Sequence, residues 1–139
     1  MKKALLIVMI TLMAAASVLA LTACSNPAGV YKFESVTVKG WNYQNTYSVG
    51  DRQPHGDEEI TEDSVTLTLN KDGTYEFEDD STVLNTKTTG TWEKGKGENG
   101  ENLIIFDNKN FSAEYTADGL TFVYNDLDLI FYTYKMKKA

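Results

Sequence analysis

The sequence predicts an all-β protein: a single small antiparallel meander barrel of about eight short strands, preceded by an N-terminal export segment. Three observations carry this. Val65, Leu67 and Leu69 alternate with Thr66, Thr68 and Asn70. The turn Asn70-Lys71-Asp72-Gly73 follows, and Tyr75 and Phe77 then alternate with Glu76 and Glu78. This reads as a half-buried strand, a glycine turn and an antiparallel partner. The cadence returns with Phe111, Ala113 and Tyr115, the turn Thr116-Ala117-Asp118-Gly119, and then Leu120, Phe122 and Tyr124. Finally, no stretch after Gly29 repeats apolar residues at three- and four-residue spacing, so no amphipathic helix is expected.

At the N-terminus, Met1-Lys2-Lys3 is a short basic region, and residues 4–23 are uncharged and rich in Leu, Ile, Val, Met and Ala. That order is a secretory leader, set aside from fold reasoning; a retained membrane helix is the competing reading of the run. Leu21-Thr22-Ala23-Cys24 resembles the lipobox of bacterial lipoproteins, with small residues before the cut and a thiol to take a diacylglyceryl group. The expected organisation is a leader over 1–23, a lipidated tether over 24–29 and a barrel domain over 30–139. Cys24 is the only cysteine, which leaves no internal disulfide. An exported protein held to the outer face of a membrane through diacylglyceryl-Cys24 is the expectation, because stable anchoring needs more than one acyl chain.

Removing residues 1–23 from the 139 leaves 116, enough for one domain with a sizeable core. The leader carries two lysines and no acid, so the net charge moves from −7 to about −9. Such an acidic surface argues against nucleic acid as a partner and against electrostatic binding to anionic headgroups.

The remaining strands are expected over 30–38, 84–93, 103–107 and 127–135. Tyr31 and Phe33 share one phase in the first strand while Val36 and Val38 sit on the other, which predicts a bulge or bend near Glu34-Ser35. Residues 39–60 lack clear alternation and read as one long loop between the first two strands.

The segments "GVYKFESV", "LTLNKDGTYEF" and "GTWE", behind a leader and a lipobox, resemble the lipocalin-like lipoproteins of bacteria. The resemblance spans nearly all of the chain after the leader. It implies an eight-stranded up-and-down barrel around a small apolar ligand, with Gly29-Val30-Tyr31 at the place of the family's Gly-x-Trp. The chain departs from the pattern in three ways. Tyr31 replaces the tryptophan, the late arginine is absent (Lys135 is nearby, and the sole arginine, Arg52, lies in the long loop), and no C-terminal helix follows the last strand.

All sixteen aromatic residues lie after the leader. Tyr75, Phe77, Phe106, Tyr115, Phe122, Tyr124 and Phe131 occupy strand positions suited to line an interior, either as a ligand cavity or as a barrel filled by its own side chains. Trp41, Tyr43 and Tyr47 in the long loop suit a lid or a partner surface. A solid barrel acting as an accessory subunit through 39–60 is therefore the second functional reading beside the ligand carrier. No enzyme, metal or cofactor is expected. His55 stands alone beside Asp57, Glu58 and Glu59, a solvated acidic loop rather than a metal site. Residues 68–79 lack the first Asp and last Glu of a calcium loop, and no Gly-x-Ser-x-Gly occurs.

Overall fold

A computed structural model describes residues 26–139; the segment expected to be a leader and Cys24 lie outside the described residues. Nine strands and no helix make up the described part: β1 (Gly29–Lys39), β2 (Gln44–Ser48), β3 (Val65–Leu69), β4 (Thr74–Asp79), β5 (Thr86–Lys96), β6 (Asn102–Phe106), β7 (Phe111–Tyr115), β8 (Gly119–Asp126) and β9 (Ile130–Lys138). Every neighbouring pair is antiparallel, and β1 pairs with β9, so β1 and β3 to β9 close an eight-stranded barrel with β2 as an added strand.

β1 is the strand on which closure depends. One edge pairs with β9 from Tyr31↔Lys138 to Lys39↔Phe131. The other edge is shared: Gly29 to Lys32 pair with β3, and Ser35 to Lys39 pair with β2. The register shifts between Phe33 and Ser35, where the phase change had placed a bulge. The extra residue returns Val36 and Val38 to the inner face already occupied by Tyr31 and Phe33, and all four are buried.

The hairpin turns follow their local chemistry. Asn70 N–H donates to the Thr74 carbonyl at 2.8 Å, and Asp72 Oδ1 accepts from the Thr74 amide at 2.9 Å and its hydroxyl at 2.6 Å. Gly73 takes φ +87°, a conformation that a side chain would strain. Thr116 N–H closes the β7–β8 turn on the Gly119 carbonyl at 2.9 Å.

Three expectations are corrected. Residues 39–60 are not one loop, because β2 lies within them. "QNTYS" carries no apolar alternation since Tyr47 alone of β2 packs against the core and the strand borrows its order from β1. The fifth strand runs later than 84–93, because the two residues before it, Leu84 and Asn85, belong to a bend in which Asn85 takes φ +54°. The last strand starts at Ile130 rather than residue 127, because Leu127 and Asp128 take φ +54° and +58° in the β8–β9 turn.

The barrel centre is filled with rings. Phe77 lies 4.6 Å from Phe122, 5.3 Å from Tyr134 and 5.9 Å from Phe111, centroid to centroid. Phe106 meets Tyr75 at 4.8 Å and Phe122 at 5.5 Å, edge to face. Such pairs add about 0.5–1.5 kcal/mol each beyond area burial. The inner face of β5 is lined more thinly, by Thr86, Thr88 and Gly90. At Gly90 the Asp107 carboxylate and the Tyr75 ring occupy the space a Cβ would need.

The two ends differ. At the first, the chain leading into β1 is tied down: the Tyr31 hydroxyl donates to the Pro27 carbonyl at 2.7 Å, and Lys138 Nζ donates to the Asn26 carbonyl at 3.0 Å. Pro27 is buried, and these two bonds hold residues 26–28 against this end of the barrel. Trp92 marks this end too, its indole N–H donating to the Asn70 carbonyl at 3.0 Å. The opposite end carries the β1–β2, β4–β5, β6–β7 and β8–β9 connections.

Truncating the hub tests this packing. Phe77→Ala is expected to destabilise the fold by about 3–5 kcal/mol, read as a lowered urea midpoint with an unchanged m-value.

Candidate functional site

The candidate site lies at the end of the barrel away from residues 26–28. Strand parity brings it together. Tyr47 pairs with Val36, Asn45 with Val38, Val38 with Tyr132, and Tyr124 with Tyr132, so these side chains point inward along adjacent strands. The Tyr124 and Tyr132 rings stack at 5.7 Å. Tyr43 folds back over Gly40, its ring filling the space a Cβ would need, while Gly40 N–H bonds the Tyr43 carbonyl at 3.0 Å. A side chain at residue 40 would displace the ring.

Two loops complete the rim. His55 N–H donates to Thr82 Oγ1 at 3.2 Å and so links the segment after β2 to the β4–β5 bend. In that bend Thr82 takes φ +63°, and its amide donates to Asn85 Oδ1 at 3.2 Å. Tyr43, Tyr47, Tyr132 and Val38, together with Pro54, His55, Thr82 and Val83, enclose a cleft of about 160 Å³.

Beneath it lies a buried polar cluster. Asp79 and Ser81 are both 0% exposed. Asp79 Oδ2 accepts from the Tyr134 hydroxyl at 2.6 Å, and Oδ1 accepts from the Ser81 hydroxyl at 2.6 Å and the Ser81 amide at 2.8 Å. Three donors satisfy the carboxylate's geometry, but no ion pair among the described residues involves it. Burial first, and the Asp79 carboxylate second, hold the Tyr134 phenol far above its ordinary range. Burial also raises Tyr132, with Tyr43, Asp126, Tyr124 and Asp79 adding to the effect, and burial followed by Asp126 raises Tyr124.

The interior candidates divide. Tyr75, Phe77, Phe106 and Phe122 meet at the centre, joined by Phe111 and Tyr134. Tyr115 is buried towards the other end, near Tyr31. Tyr124 is half-buried at the mouth. Phe131 does not line the interior: it is 39% exposed on the outer wall, and Tyr132 takes the inward position. The segment "IFYTYKM" carries aromatic residues at both parities, so only the register with β8 decides between them.

Of the loop aromatics, Tyr43 and Tyr47 join the cleft, whereas Trp41 is 98% exposed. Trp41 stands beside Leu129 and Phe131 on an outer groove of about 520 Å³ that also includes Lys39 and Asp128. Two further grooves flank β9 on the outer wall and are lined by charged side chains, among them the Lys137–Glu34 pair at 3.0 Å. Among the described residues, no three His, Cys, Asp or Glu side chains converge to hold a metal ion. Asp57, beside His55, instead pairs with Arg52 at 3.4 Å.

Sequence reasoning missed Tyr132, Tyr134, Asp79 and Ser81. The Tyr-x-Tyr spacing on β9 was the available signal for the first pair. An Asp at a strand end followed by Asp80-Ser81 gives none, since it reads as an ordinary polar turn. Comparison of the chain with protein-family profiles, with curated proteins and with solved structures finds no match.

The buried phenols make the fold alkali-sensitive. Tyr31 and Tyr75 are pushed up to about 12, chiefly by burial, while unfolded tyrosines ionise near 10. A raised folded pKa means stability is full below about pH 10 and is lost as pH climbs through 12. Chemical denaturation from pH 8 to 12 is expected to show that decline. Tyr134→Phe should flatten it, while costing about 1–3 kcal/mol at neutral pH by leaving Asp79 short of a donor.

Proposed function

We propose that this chain is an envelope lipoprotein, anchored through diacylglyceryl-Cys24, whose lipocalin-like barrel binds a small amphipathic ligand at its mouth rather than in its centre. One observation carries the reading: the centre is closed by mutually contacting rings, whereas the aromatic cleft sits at the end opposite residues 26–28. An eight-stranded barrel is just wide enough to be filled by its own side chains. A ligand is then held at the rim, where tyrosines supply both apolar rings and polar hydroxyls.

The anchor is supported by Leu21-Thr22-Ala23-Cys24 behind its apolar run. With residues 26–28 tied to the barrel, only two residue spacings, about 7 Å of chain, separate Asn26 from Cys24. The barrel therefore stands on the bilayer by one end and directs the mouth outward. A second reading, an accessory subunit that meets a protein partner, is favoured by the patch of Trp41, Leu129 and Phe131 beside the mouth.

Two measurements check the proposal. Palmitate labelling in the native host is expected to mark the full-length protein, and Cys24→Ala is expected to lose both the label and the membrane fraction. Unaltered labelling in that variant would overturn the anchor. Native mass spectrometry of protein purified from cells is expected to show an added mass that Tyr47→Ala or Tyr132→Ala removes. A clean apo mass, with Trp41→Ala abolishing a co-purifying protein instead, would replace the ligand reading with the second one.

A further inference from the structure

We infer that the ligand class taken by the mouth is a small organic cation, a methyl- or alkyl-substituted ammonium head. This rests on the mouth being the binding site. It adds the charge and size of what enters.

The first argument is the charge left over beneath the cleft. Asp79 is fully buried, and its three donors, from Tyr134 and Ser81, are all neutral. Buried carboxylates are ordinarily paired with a cation. Here none of the ion pairs among the described residues reaches it. A second carboxylate, Asp126, continues the inward parity of β8 two positions beyond Tyr124, opposite Ile130 at the rim. Both act on Tyr132, the wall they share with the cleft.

The second argument is the lining. Three tyrosines face the cleft, no lysine or arginine does, and the one basic side chain on it is His55. Tyrosine rings attract cations through their π electrons, and the attraction strengthens when the site is desolvated. A carboxylate ligand such as a fatty acid would find no fixed positive charge and would be repelled by Asp79 and Asp126.

Size is the third argument. About 160 Å³ suits a compact head, well below the roughly 300–1,000 Å³ of sites that enclose drug-sized molecules. Acyl chains are excluded by the ring-filled centre beneath.

Choline and its uncharged isostere 3,3-dimethylbutan-1-ol differ in charge and share a shape, so they isolate the electrostatic part. Each is titrated calorimetrically into the full-length protein in a non-ionic detergent. Choline is expected to bind about tenfold more tightly than the isostere. Asp126→Asn should weaken choline at least threefold and leave the isostere unchanged. Tyr132→Leu should weaken both, and Tyr132→Phe should retain most of the choline affinity. Should Tyr132→Leu lower the melting temperature, the rim variant Asp126→Asn decides alone. Equal binding of the two compounds would overturn the cation and leave the mouth site standing. Choline binding indifferent to both Asp126→Asn and Tyr132→Leu would overturn the cation site. Binding of neither compound would overturn the cation, and the absence as well of any added mass on the protein purified from cells would remove the mouth reading with it.

Discussion

β1 has hydrogen-bonded neighbours along both of its edges, and the rest of the molecule depends on that arrangement. Its pairing with β9 turns a meander into a closed wall, which leaves no free edge between the first and last barrel strands. Its other edge is divided between β3 and β2, and the register shift between Phe33 and Ser35 sits at the division. Without the extra residue, Val36 and Val38 would point to solvent and the mouth half of β1 would lose its buried face. A local irregularity of one residue therefore decides whether the upper barrel has an inner lining.

Closure at eight strands sets the size of the interior, and the side chains use all of its middle. Phe77, Phe106, Phe111, Phe122 and Tyr134 contact one another across the barrel, which is why the proposed recognition site is the rim. There the lining changes from phenylalanine to tyrosine, and the buried polar cluster at Asp79 separates the dry centre from the wet mouth. The gradient is built into the strands themselves. On β8 the inward series runs Phe122, Tyr124, Asp126, and on β9 it runs Tyr134, Tyr132, Ile130.

Much of this was legible in the sequence wherever local chemistry and burial agree. The hairpin around Asp72 and Gly73 announces itself because alternation, turn residues and length all point the same way. The bulge at Glu34-Ser35 was readable because apolar residues on both flanks reveal the phase change. β2 was not readable, since a strand with a single aromatic residue on the core carries no hydrophobic period, and its polar "QNTYS" looks like loop. The outward Phe131 and inward Tyr132 were undecidable from β9 alone, where every position from 130 to 132 is apolar or aromatic. The Asp79 cluster was invisible because it depends on Tyr134, 55 residues away in the chain. Non-local pairing is the physical content that a single strand's pattern does not hold.

The barrel's two ends thus differ in kind: one is tied to the incoming chain by Tyr31 and Lys138, and the other carries the aromatic rim. The chain's two tryptophans happen to mark them. Trp92 bonds to the Asn70 turn at the tied end, and Trp41 stands in solvent beyond β1. Single-tryptophan variants, Trp41→Phe and Trp92→Phe, of the full-length protein, lipidated as proposed, in vesicles bearing a headgroup nitroxide quencher test the orientation most directly. The account predicts strong quenching of Trp92 and little or none of Trp41. Equal quenching of the two, or stronger quenching of Trp41, would contradict a barrel that stands on the membrane by its tied end and offers its mouth outward.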